Sequence, residues 1–157
     1  MSEKNVEAYL KARGCTAPIL QFPVSSATVA LAAAAVGVEP ARIAKTLSFH
    51  ACAEHECLLV VAAGDCKIDN GKFKRTFGFK ARMLAADETL PLTGHPVGGI
   101  CPFANPPGAR VYLDRSLARF ETVYPAAGSS HSAVCLTPDE LFRYAGAVDW
   151  VDVCKEA

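Results

Sequence analysis

No stretch of this sequence comes near the ~20 consecutive apolar residues that cross a bilayer as a helix. Charge of one sign is not in excess either. Sixteen basic side chains balance sixteen acidic ones, so no global field draws the chain to DNA or to an anionic surface. The seven cysteines, at 15, 52, 57, 66, 101, 135 and 154, contain no CxxC pair, which leaves no zinc-type spacing. Their odd number argues against a disulfide framework and for small buried apolar side chains. No glycine pattern matches a P-loop or a dinucleotide fingerprint. Internal repeats, linkers and low-complexity segments are missing too. The first residues, Met1-Ser-Glu-Lys-Asn, lead into a charged helical pattern rather than a signal peptide, so the expected location is the cytoplasm. No membrane, DNA, metal or cofactor partner is expected.

The chain does have the means to build a core. Its 157 residues are 51% hydrophobic and 20% charged, ordinary for one globular domain. The patterning predicts helices over 3–13, 27–36, from Asp69 or Asn70 to Gly78, over 87–93, and after Thr137, where Pro138, Asp139 and Glu140 form a favoured first turn. Strands are expected over 18–22, 43–49, 57–63 and near 110–113, 120–124 and 132–136. The run Cys57-Leu-Leu-Val-Val-Ala-Ala63 is apolar throughout, as in a central strand covered on both faces. Phe73 and Phe77 share one helical face, turning Lys72, Lys74 and Arg75 elsewhere. The pattern is one α+β domain, residues 1–157, with a mixed sheet.

Three features could carry chemistry. Lys45 sits in an apolar strand, Ile-Ala-Lys-Thr-Leu, where it either faces solvent or points into a cleft; lysine's rarity in interiors favours solvent on pattern alone. Gly94-His-Pro-Val-Gly-Gly-Ile-Cys-Pro-Phe103 combines paired glycines, which let backbone N–H groups approach a ligand, with stiffening prolines. Its length suggests function, and Val97, Ile100 and Phe103 are expected to anchor it. Tyr124-Pro-Ala-Ala-Gly-Ser-Ser130 is a turn of small residues at a strand end. Beyond these, Lys67, Lys72, Lys74, Arg75, Lys80 and Arg82 make a local basic run against Asp69 alone. It reads equally as a solvated face or as a binding site for one phosphate-rich element.

Taken together these segments resemble the YbaK / prolyl-tRNA synthetase-associated editing domain family. Val38-Glu-Pro-Ala-Arg-Ile-Ala-Lys-Thr-Leu47 is similar to the family's KTL segment, and Lys67-Ile-Asp69 to its helix entry. The most specific match is Thr93-Gly-His-Pro-Val-Gly-Gly-Ile-Cys-Pro102, to its VGGISP loop. Tyr112-Leu-Asp114, Glu121-Thr-Val-Tyr124 and Gly128-Ser129 follow in order, so the likeness runs from about residue 5 to 148. It implies a mixed, partly barrel-like sheet flanked by helices, and a deacylase that hydrolyses the ester of mischarged tRNA in trans, many members acting on tRNA(Pro) carrying cysteine or alanine. By the same resemblance Lys45 is the essential lysine, and Gly98 and Gly99 form the catalytic loop. Thr28, Thr46, Ile100, Cys101, Pro102, Gly128 and Ser129 line the amino-acid pocket. Lys67, Lys72, Lys74 and Arg75 would contact phosphates of the tRNA acceptor end, with an aminoacyl-tRNA synthetase as a further partner. Departures occur at Cys101, where many members carry serine, at Ala104, which replaces a glycine, and at Ala126-Ala127. They bear on amino-acid preference. Two other readings compete: a non-catalytic tRNA- or nucleotide-binding module of the same fold, and a thiol hydrolase with Cys101 as nucleophile and His95 or His131 as base.

Overall fold

The computed structural model describes residues 2–157. Its elements in chain order are α1 (Ser2–Ala12), β1 (Ile19–Gln21), α2 (Val29–Val36), β2 (Ile43–His50), β3 (Cys57–Ala63), β4 (Cys66–Ile68), α3 (Asn70–Phe77), α4 (Ala86–Thr93), β5 (Ala109–Asp114), β6 (Tyr124–Pro125), β7 (Ser132–Val134), α5 (Pro138–Ala145), β8 (Asp149–Val151) and β9 (Cys154–Glu156). Five strands form one mixed sheet in the order β6-β2-β3-β5-β8. Only β2 and β3 pair antiparallel; the other three pairings are parallel. Two antiparallel ribbons, β1-β7 and β4-β9, complete the β structure.

All seven residues of β3 are buried, the outcome expected of an unbroken apolar run at the centre of a sheet. Strand alternation then sorts the neighbours onto two faces. One face presents Phe49 and Tyr112, against which Phe73 and Phe77 of α3 pack with ring centroids 4.9 and 5.0 Å apart. The exposed side of α3 carries Lys74 and Arg75. On the other face, Cys57 donates to the Leu92 carbonyl of α4, and Val6, Cys101 and Phe103 are fully enclosed in the same core.

The helices start and stop where local chemistry allows. Thr28 caps α2 by accepting from Leu31 N–H, and Gly37 ends it at φ 85°. Thr137 and Glu140 form a reciprocal capping box on α5, which satisfies two otherwise orphaned N–H groups.

Several expected strands are shorter than the sequence pattern suggests. Residues 120–124 yield only β6, preceded by a 3₁₀ turn over Arg115–Arg119. β6 is two residues long and pairs only with Ile43 and Ala44 of β2. β4, β8 and β9 were not expected. Each is three residues long, and β9 comes from the far end of the chain to pair with β4.

Candidate active site

The β2 edge facing away from β3 is covered at both ends and open in the middle. At its start Ile43 and Ala44 pair with Tyr124 and Pro125. At its end His50 N–H donates to the Arg82 carbonyl, and Leu84 N–H donates to the Ser48 carbonyl. Between these pairings lie Lys45, Thr46 and Leu47. A cavity of about 290 Å³ opens there, walled by α2, β2, β7 and the Gly98–Ile100 loop. Its volume is at the small end for ligand sites, and its lining is mostly aliphatic: Ala27, Val29, Ala32, Ile43, Leu47, Ile100, Ala126 and Ala133, with the Tyr124 ring. Residues 44, 45, 46 and 47 all line it. Consecutive residues of one strand can do so only by presenting the strand's edge rather than a face.

Lys45 is the one ionic side chain lining the cavity among the described residues. Its Nζ donates to the Cys66 carbonyl of β4, so the ammonium is neither loose in solvent nor buried without a partner. Thr28 also lines the cavity, its hydroxyl occupied in capping α2. Thr46 lines the cavity too, while its Oγ1 is enclosed with no hydrogen-bond partner. The Tyr124 phenol is held above its ordinary pKa by a hydrogen bond to Cys135 and by partial burial.

The glycine loop is a turn. Gly98 has φ 87°, and Gly99 N–H donates to the Pro96 carbonyl at 3.0 Å, which is the type II arrangement with glycine at the third position. The Gly99 N–H is therefore committed inside the chain. Gly99 is still needed for close approach, since a Cβ there would lie 3.0 Å from Ser129 Cα. Val97, expected to anchor the loop, is 66% exposed instead, because the turn projects its second residue outward. The anchors are His95, Cys101 and Phe103, all fully buried, with Asn105 Nδ2 donating to the Thr93 and Cys101 carbonyls.

Of the residues singled out from sequence, Lys45, Thr46, Thr28, Gly98 and Ile100 meet at the cavity. Gly99, Cys101, Pro102, Gly128 and Ser129 do not line it. Gly128 packs against α1, where a Cβ would come within 2.8 Å of the Ser2 carbonyl and of Val6. Ser129 acts one step back: its hydroxyl donates to Ser132 Oγ at 2.9 Å, and Ser132 lines the cavity. Cys101 Sγ is 3.3 Å from His95 Nε2, but burial pushes its thiol up to about 12 and lowers the His95 pKa. His95 Nε2 is also 2.6 Å from the Phe103 carbonyl, which calls for the tautomer that donates there rather than abstracts from sulfur. His131 is exposed and bonded to Ser130. This arrangement gives no thiolate nucleophile.

Lys67, Lys74 and Arg75 are exposed. Lys72 is not available in the same way, because its Nζ binds Asp152 at 3.1 Å and the Cys154 carbonyl at 3.0 Å. Sequence reading missed Ser26, Ala32 and Ala133 as cavity walls. Small residues carry no signal until the fold brings them together.

Residues 24–144 match the model of the aminoacyl-tRNA editing domain. The chain belongs to that family. It is 49% identical over 156 residues, 99% of both chains, to the uncharacterized protein YwhH of Bacillus subtilis (strain 168). Among solved structures, the editing-domain fold recurs in hypothetical protein APE2540 at TM-score 0.86 and 36% identity, covering 96% of this chain and 99% of that one. It recurs also in "a putative trans-editing enzyme for prolyl tRNA synthetase" at TM-score 0.87 and 31% identity, covering 98% and 97%. Family and neighbour support a deacylase-type role on aminoacyl-tRNA.

Proposed function

We propose that the chain hydrolyses the ester joining a wrong amino acid to tRNA, in trans, with tRNA(Pro) as the acceptor. The observation that carries this reading is a small, largely aliphatic cavity with Lys45 as its single ionic side chain, in a chain that matches the editing domain over residues 24–144. The neighbour named for prolyl tRNA synthetase supplies the choice of tRNA.

An aminoacyl ester is already activated by the hydroxyl next to its leaving oxygen, so hydrolysis chiefly needs positioning and oxyanion stabilisation. Lys45 holds the ribose or terminal phosphate as a point charge, and Gly98 borders the reacting carbonyl. Water adds through its oxygen to the carbonyl carbon and gives up one proton. The bond from that carbon to the ribose oxygen then breaks, the proton passes to the departing oxygen, and a free amino acid leaves. Lys74 and Arg75 contact acceptor-stem phosphates, which position the RNA without reading its sequence.

A deacylation screen across mischarged tRNAs tests the reading. Release of a small amino acid from tRNA(Pro), with correctly charged prolyl-tRNA spared, is the expected result. No release from any tRNA leaves the chain a binding module.

A further inference from the structure

Thr46 holds a place in the cavity that its side chain does not explain. Backbone N–H and C=O groups of a strand point to alternate sides residue by residue. Ser48 and His50 use theirs on the edge away from β3, so Thr46, two residues earlier, aims its N–H and C=O at the same edge. There the covering segments have parted: Ala126 has left the ladder after Pro125 on one side, and the Arg82–Leu84 segment begins only at Ser48 on the other. Neither main-chain group of Thr46 finds a partner among the described residues. An unpaired residue at mid-strand, flanked by pairings and facing a cavity, is a place for one residue of added strand.

We infer that the open edge at Thr46 binds the aminoacyl group itself as a single antiparallel residue, and so selects esters with a free α-amino group. This rests on the deacylase reading above. In a hydrogen-bonded antiparallel pair, two residues exchange both N–H···O=C bonds. An aminoacyl ester has the same two groups in the same relation. Its ammonium donates to the Thr46 carbonyl, and its ester carbonyl accepts from the Thr46 N–H. Parallel docking fails for so short a ligand, because a residue then needs partners on two successive ligand units.

The antiparallel direction fixes both ends. The ester end runs back along β2 beside Lys45, where the ribose belongs. The amino end runs toward Ser48, whose carbonyl already accepts from Leu84 N–H, so nothing can extend the amino group. The Thr46 N–H points at the oxygen that becomes the oxyanion, and it supplies the donor that Gly99 cannot, its own N–H being bound to Pro96. A peptidyl or N-acylated ester is rejected by the closed end, and an acyl ester without the amino group loses one of the two bonds.

The test uses tRNA(Pro) carrying alanine, N-acetylalanine or propionate, or the same three forms of another amino acid if the screen favours one. Each kcat/KM is divided by the uncatalysed hydrolysis constant, which the ammonium group itself raises. The free aminoacyl form should exceed both others by on the order of 10² or more, as expected where buried polar groups lose their partner. Thr46→Pro removes the N–H without removing a ladder bond and should lower the rate on the aminoacyl ester by on the order of 10², with its folding checked by circular dichroism. Equal normalised constants for all three esters overturn the inference and leave the deacylase standing; so does full activity in a folded Thr46→Pro protein. If that variant does not fold, the ester series alone decides. Cleavage of none, in the screen or the series, removes the deacylase reading and this inference with it.

Discussion

Lys45 Nζ donates to the main-chain carbonyl of Cys66, tying the rim of the cavity to the β4-β9 ribbon. The contact presets where the ammonium stands before any substrate arrives. Lys45→Ala should therefore lower kcat by on the order of 10²–10³, with the far-ultraviolet spectrum and unfolding midpoint nearly unchanged. A folded Lys45→Ala protein with unaltered turnover would make the lysine only a brace between strands.

The buried thiols and His95 set a pH profile for stability. Burial pushes Cys57 up to about 11 and Cys101 and Cys154 up to about 12, against an ordinary value near ~8.5. The unfolded chain then sheds thiol protons first, so stability is complete below pH ~8.5 and declines as pH rises toward 11–12. His95 acts in the opposite sense. Burial lowers its pKa, so its contribution is present above the ordinary histidine value of ~6.5 and is lost as pH falls through the lowered one. Urea titrations at pH 5, 7.5 and 10 should show the maximum in the middle. Native thiol labelling should reach exposed Cys52 and spare Cys101, and Cys101→Ser should keep its turnover.

The basic run divides into two behaviours. Lys74→Glu and Arg75→Glu remove exposed charges that form no ion pair among the described residues. Each should weaken tRNA binding and cut the log–log salt slope by about one unit, at little cost in stability. Lys72→Glu places a carboxylate against Asp152 instead, so its main effect should be a destabilisation of about 1 kcal/mol. Filter binding across a salt series, paired with thermal melts, separates the two.

Ala104 stands at φ 55° in the left-handed region, the one non-glycine among the described residues with positive φ. That backbone costs an L-residue roughly 1–2 kcal/mol, partly offset by the extra chain entropy a glycine brings to the unfolded state. Ala104→Gly should stabilise the protein by up to about 1 kcal/mol. Gly128→Ala should do the reverse: at φ 95°, with a Cβ 2.8 Å from the Ser2 carbonyl, it should cost about 1–3 kcal/mol and loosen α1. Denaturant midpoints of the two variants check both signs.

The sequence alone determined what depends on neighbours along the chain. The unbroken apolar run of Cys57–Ala63 marked the central strand, Thr137 marked a helix start, Phe73 and Phe77 marked the buried side of α3, and the KTL and Val-Gly-Gly segments pointed to the family. Those signals are local, because periodicity and capping act over a few residues. The tertiary structure decided everything that needs two distant segments. It brought Ala126 and Leu84 to opposite ends of one strand edge and left Thr46 open between them. It buried Cys101 and bound Lys72 to Asp152, eighty residues away. No pattern in sequence records whether a backbone N–H has a partner, since pairing belongs to two strands at once, and in this chain that pairing determines the shape of the site.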